Sequence, residues 1–164
     1  MMLWNGIPGG CHSQLQKRKH RMSTEENKAV VHRYIEEAWN KGNVGVIDEL
    51  VTIDYVRYIA GGGKPLNREG QKQRISSFRK GLPDLHLAVE NMIAEGDKVV
   101  IRWRIHATHQ GNLMGVPLTG KQVTITGIDI VLLAEGKIME HWGESDTLGL
   151  MQQLGVVPAP GQVG

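Results

Sequence analysis

At 164 residues, 40% hydrophobic and 22% charged, the chain has the length and composition of one ordinary globular domain with a proper core. Its formal charge of +2 misleads: four of its 19 basic residues (Lys17, Arg18, Lys19, Arg21) lie in residues 1–21, which hold no Asp or Glu, leaving 15 against 17 acidic residues, a net of −2. That balance argues against a nucleic-acid binder. No apolar run approaches the roughly 20 residues of a membrane helix, and the single Cys11 excludes an internal disulfide framework and fits a reducing cytoplasm.

Residues 1–22 show no periodicity and read as a disordered extension, with QKRKHR as a solvated run. Met22 opens MSTEENK, which also fits an upstream start for what precedes it. The domain is expected over 23–155. Ser23 and Glu26 form a capping box, and Val30, Val31, Tyr34, Ile35, Ala38 and Trp39 fall on one helix face. Gly42 is a natural C-terminal stop. Asn43 can cap a short second helix to Leu50. Val51 to Ile59 is a strand carrying Tyr55 and Tyr58. Gly61-Gly62-Gly63-Lys64-Pro65 lacks the glycine spacing and the Ser or Thr of a phosphate loop, so it is read as a flexible loop. Asn67 caps a third helix to about Lys80, with Arg68, Lys72, Arg74, Arg79 and Lys80 on a solvated face.

Strands then dominate. Leu85 to Val89 alternates weakly. Val99 to His109 places Val99, Ile101, Trp103, Ile105 and Ala107 on one face and Arg102, Arg104 and His106 on the other. His106 and His109 point oppositely, and no metal-binding motif is present, so no metal site is expected. Asp146 can cap a last helix that docks Leu148, Met151 and Leu154. Residues 156–164, rich in Gly and Pro, read as a flexible tail. Three helices followed by antiparallel strands predict an α+β domain in which helices cover one face of a curved sheet and leave a pocket between.

The candidate chemistry lies in residues 120–146. Val123 to Leu133 and Lys137 to Trp142 read as a β-hairpin. A three-residue loop with left-handed Gly136 fits better than a two-residue turn, which would need positive φ at Glu135. That register pairs Leu133 with Lys137 and Asp129 with His141, a carboxylate beside an imidazole. Asp129 stands among Ile128, Ile130, Val131, Leu132 and Leu133, where a charge is costly without a partner or a task. Asp129, Val131, Leu133, Met139 and His141 share one face; Ile128, Ile130, Leu132, Ile138 and Trp142 share the other. Because both faces are apolar, the second is expected to pack on another copy in a homodimer.

Three stretches carry a resemblance: KAVVHRYIEEAWNKGNVGVIDELV, THQGNLMGVPLTGKQVTITGIDIV and GKIMEHWGESDTLGLMQQLG. From about Lys28 to Gly155 the chain resembles the SnoaL-like polyketide (ester) cyclases, within the wider nuclear-transport-factor-2-like superfold. The resemblance implies a cone-shaped α+β domain, usually dimeric, and cofactor-free acid/base catalysis of an intramolecular aldol condensation on a small apolar carbonyl compound. It also implies a departure. The cyclases' catalytic Asp falls on Gly143, and a second active-site position, His in those enzymes, falls on Asp129. The expected site is Asp129 as base, with desolvation raising its pKa, and His141 as its partner. Trp103, Tyr55, Met114, Trp142 and Gly143 are expected around the substrate. Two other readings stay open. One is an epoxide hydrolase, which would need Arg102 or Arg104 beside Asp129. The other is a module that binds a small hydrophobic ligand without transforming it.

Overall fold

The structure is a computed structural model that describes residues 22–158 and Gly161. The expected extension, with Cys11 and the basic run, lies outside the described residues except for Met22, as do residues 159, 160 and 162–164 of the tail. The chain runs α1 (Thr24–Tyr34), a π-helical turn (Ile35–Asn40), a 3-10 turn (Val44–Val46), α2 (Ile47–Leu50), β1 (Val51–Ile59), β2 (Gly63–Leu66), α3 (Arg68–Gly81), β3 (His86–Glu95), β4 (Lys98–Thr108), β5 (Gln122–Ala134), β6 (Lys137–Ser145) and α4 (Thr147–Leu154). The strands form a single six-stranded sheet in the order β2-β1-β6-β5-β4-β3. Only β1 and β6 pair in parallel. The α+β fold expected from the sequence therefore forms, with four helices and a sheet that stays open instead of closing into a barrel.

Local signals explain the helix starts. The Ser23 Oγ accepts from the Glu26 amide at 3.2 Å while Glu26 Oε2 accepts from the Ser23 amide at 2.8 Å. Asn67 and Asp146 cap α3 and α4 by accepting from Gly70 and Gly149. The first helix does not stay α-helical to Asn40. Its last turn widens to π geometry, which Lys41 closes by donating to the Glu36 carbonyl. Asn40 then brackets the Leu87 backbone, donating to its carbonyl at 3.1 Å and accepting from its amide at 2.7 Å, and so ties the helix to β3.

The core lies between the helices and one sheet face. On β4 the inward set is Val99, Ile101, Trp103, Ile105 and Ala107, as the alternation predicts. Against it pack Val31, Tyr34, Ile35, Ala38 and Trp39 from the first helix and Ile75 from α3. Two placements differ from the sequence reading. Arg74 leaves the solvated face of α3: it shares a turn with buried Gln71 and Ile75, and its guanidinium lies 5.3 Å and 4.9 Å from the ring centres of Trp39 and Phe78. On α4, Leu150 and Leu154 dock inward, whereas Leu148 is 60% exposed.

The β5–β6 hairpin also differs. Ala134 pairs with Lys137 across a two-residue turn in which Glu135 and Gly136 have φ of 51° and 77°. This is a primed turn, whose twist matches that of the strands. The twist match outweighs the modest cost of left-handed geometry at Glu135. Leu133 then faces Ile138 but Leu132 faces Glu140, so Met139 is an extra residue on β6. This bulge reverses the side-chain parity. Ile138 turns inward beside Val131, Leu133 and His141, while Ile128 and Ile130 remain exposed on the outer face. The expected Asp129–His141 pairing gives way to Val131 opposite His141 and Asp129 opposite Gly143.

Candidate active site

Four neighbouring strands supply the polar cluster. Tyr55 and Arg57 alternate inward on β1, which runs parallel to β6 with Arg57 beside His141. His141 comes from β6, Asp129 from β5 and Trp103 from β4. Two glycines make the room. Gly127 opposes Trp103, and a Cβ there would overlap the indole; Gly143 opposes Asp129, and a Cβ there would overlap its carboxylate and the Arg57 guanidinium.

His141 is the hub. Its Nδ1 lies 3.2 Å from the Tyr55 hydroxyl. Its Nε2 lies 2.7 Å from Arg57 Nη1 and 2.8 Å from Asp129 Oδ2. Arg57 Nη2 stands 3.7 Å from Asp129 Oδ1. Asp129 and His141 thus meet as diagonal neighbours on one face, not as a directly opposed pair. One ring nitrogen cannot serve both contacts at once. If Nε2 carries a proton it donates to Asp129; if it carries a lone pair it accepts from Arg57, which only donates. A single proton moving across this cluster changes which partner is satisfied.

The electrostatics follow from burial and charge. Burial, then the Arg57 charge, pushes the His141 imidazole down to about 4, against the opposing pull of Asp129. For Asp129, burial alone would raise the carboxyl, but His141 first and then Arg57 hold it below the usual carboxylate range. The expected upward shift of Asp129 is therefore reversed by its partners, His141 before Arg57. Burial raises the hydroxyls of Tyr34 and Tyr55. At neutral pH the cluster holds an ionised Asp129, a neutral His141 and a charged Arg57.

The cluster opens into a cleft between the helices and the sheet. The cleft is narrow, with a cavity volume of about 30 Å³. Ile35, Trp39, Phe78, Ile101, Ile125 and Leu150 give it apolar walls, and Asp129, His141, Arg57, Arg74 and Tyr34 are the charged or titratable groups converging on it. A wider vestibule outside shares Arg57, Arg74, Phe78 and Met114 and adds Gly143.

Of the residues expected at the site, Asp129, His141 and Trp103 line the cleft. Met114 stands at its mouth, 58% exposed. Tyr55 is not a wall but stands behind His141. Trp142 is a correction: it lies on the opposite sheet face, stacked on Tyr58 at 5.3 Å, because its neighbour His141 takes the inner face. Arg102 and Arg104 pair with Glu90 on the outer face, so the guanidinium beside Asp129 comes from Arg57 instead. Arg57 and Arg74 were not anticipated. The signals were present: Arg57 is two residues from Tyr55 on a strand, and Arg74 falls in register with Gln71, Ile75 and Phe78 on one face of a helix. Among the described residues no group of three or more His, Cys, Asp or Glu is placed to hold a metal ion, and no helix is long and apolar enough to cross a membrane.

A pocket of this kind between helices and an open mixed sheet defines a nuclear-transport-factor-2-like protein. Residues 29–154 match the SnoaL-like polyketide cyclases, and the chain belongs to that family. It is 27% identical over 126 residues to the aklanonic acid methyl ester cyclase DnrD of Streptomyces peucetius, covering 75% of this chain and 87% of that one. The structure of AclR from Streptomyces galilaeus is similar with a TM-score of 0.77 and 30% identity, covering 86% of this chain and 88% of that one. TsrD from Streptomyces laurentii gives 0.74 and 26%, covering 83% and 99%.

Proposed function

We propose that this protein is a cofactor-independent acid/base enzyme of the cyclase type, acting on an apolar substrate that carries carbonyl groups. The observation that carries this reading is a buried carboxylate, Asp129, one of whose oxygens accepts no hydrogen bond, lining an apolar cleft beside an imidazole and a guanidinium. Asp129 takes a proton from a carbon next to a carbonyl. The enolate oxygen is stabilised by N–H donors, a role supported for Arg57 and Trp103 by their lining of the cleft and by a Trp103 indole N–H that makes no hydrogen bond. The enolate carbon then bonds to a second carbonyl carbon of the same molecule, and the new alkoxide recovers the proton from Asp129. His141 orients Asp129 and adjusts its basicity.

The resemblance places the cyclases' base on Gly143, and Asp129 stands directly across from it on the neighbouring strand, which supports a carboxylate moved from one strand to the other. Asp129→Asn keeps shape and removes the base. Turnover of β-keto esters should fall by about a hundredfold or more, with binding retained. Unchanged turnover would remove Asp129 from the mechanism, and absence of turnover in the unaltered protein together with retained binding would favour the ligand-binding module. Arg57 beside Asp129 also favours a second reading, water activation on an epoxide. That chemistry wants another carboxylate, and Asp129 is the one acidic residue lining the cleft among the described residues. The homodimer belongs to this proposal too: exposed Ile128 and Ile130 on the outer sheet face suit a second copy.

A further inference from the structure

The charges in the cleft do not balance. Asp129 is answered by Arg57, at 3.7 Å. Arg74 has no carboxylate within ion-pair distance among the described residues, and its Nη1 is buried without a hydrogen-bond partner. Two guanidinium groups therefore face one carboxylate in an apolar cleft, and each lowers the pKa of His141, as a surplus of positive charge would. Burial, then Arg57, pushes Arg74 itself down to about 10. A half-buried charge with no carboxylate partner and with a buried N–H that lacks an acceptor is costly, and such sites persist where a ligand supplies the missing partner.

The setting of Arg74 also says how that partner binds. Trp39 and Phe78 lie against its guanidinium, at 5.3 Å and 4.9 Å. Contacts with two aromatic rings restrict the group, and a carboxylate binds a guanidinium along its N–H edge. Arg74 also borders both the inner cleft and the outer vestibule, whereas His141 and Asp129 line the inner cleft and not the vestibule. Its position suits holding a substrate at the rim better than reacting with it.

We infer that the substrate enters as an apolar carboxylic acid in its anionic form, with the carboxylate held by Arg74 at the mouth and the apolar body directed towards Asp129. Three of the buried polar atoms without a hydrogen bond, Arg74 Nη1, Trp103 Nε1 and Asp129 Oδ1, belong to residues lining this one cleft, the last of them with only the 3.7 Å ion pair to Arg57. Two are donors and one is an acceptor. A ligand anion on Arg74, a carbonyl oxygen on Trp103 and an acidic C–H at Asp129 would satisfy all three. The inference rests on the reading of this cleft as a substrate site but not on Asp129 being the base. It separates this chain from the relative named for a methyl ester, in which the corresponding oxygen carries no charge.

The test is binding of naphthoate against methyl naphthoate, followed by quenching of tryptophan fluorescence, since Trp39 and Trp103 line the cleft, and by calorimetry. The unaltered protein should bind the carboxylate about tenfold more tightly than the ester. Arg74→Gln should abolish that preference, and Arg74→Lys should keep part of it. Asp129→Asn should preserve it or strengthen it, by removing a like charge. Equal binding of acid and ester overturns the inference and leaves the proposed acid/base chemistry standing. A preference that survives Arg74→Gln assigns the anion to Arg57 and also overturns it. Binding of neither compound removes the cleft as a site for either proposal. Because the comparison of acid with ester uses the unaltered protein, the result holds even if an Arg74 variant fails to fold.

Discussion

Asp129 on β5 stands directly across from Gly143 on β6, and the space left by the missing Cβ is where the Arg57 guanidinium meets the Asp129 carboxylate. The two positions are coupled. Gly143→Ala should displace that ion pair and lower stability by about 1–3 kcal/mol, read from urea unfolding. Gly143→Asp alone should be worse, since it adds a second carboxylate in the same space. Combining it with Asp129→His, which restores the arrangement the resemblance implies for the cyclases, should recover part of the loss. Additive effects of the two changes would show that the positions do not compete.

The acid limb of stability should reflect His141. Its folded pKa, about 4, lies below its ordinary value of 6.5 because the ring is buried and faces Arg57. The unfolded chain therefore binds the proton more readily between those values, and stability is lost as pH falls from about 6.5 towards 4. Asp129 is also held below its ordinary value, so its contribution is lost only at still lower pH. Urea midpoints from neutral pH down to 4 should fall by the equivalent of up to about 3 kcal/mol. His141→Gln should flatten this window; an unchanged slope would assign it to other groups.

Arg57 should be the least replaceable residue of the cluster. Its Nη1 lies 2.7 Å from His141 Nε2, and it is the cation beside Asp129. Arg57→Met leaves a buried carboxylate without its counter-charge, at a cost of about 3–5 kcal/mol in urea unfolding. The Asp129 carboxyl should also titrate at higher pH, observable by carbon NMR of labelled protein. An unmoved Asp129 titration would mean that His141 alone holds it down.

Tyr55 tests the second ring nitrogen. Tyr55→Phe removes the contact to His141 Nδ1 and should cost about 1 kcal/mol of stability. Its effect on rate should appear in kcat and not in KM, because Tyr55 does not line the cleft. A change confined to KM would place Tyr55 at the substrate after all.

The outer face carries the prediction on assembly. Ile128→Lys with Ile130→Lys should leave fold and pH profile intact and convert a dimer to a monomer in sedimentation velocity. A monomer before the change would show that this face is simply exposed.

Much of the framework could be read from the chain alone. The capping box at Ser23, the inward alternation of Val99 to Ala107 and the isolated Asp129 in an apolar strand are local patterns, set by helix ends and by the two-residue period of a strand. They established the α+β class, the core and the carboxylate. The register of the hairpin was not local. A primed turn with Glu135 in left-handed geometry and a bulge at Met139 shifted every later partner, and only the twist of the whole sheet decides that choice. Asp129 and His141 still share a face, because the turn and the bulge each change the register by one residue. Arg57 reaches the site only because β1 and β6, far apart in sequence, pair in parallel. Arg74 does so because α3 folds over the cleft. Strand pairing and helix docking bring these charges together against their own repulsion, and no spacing along the chain records that.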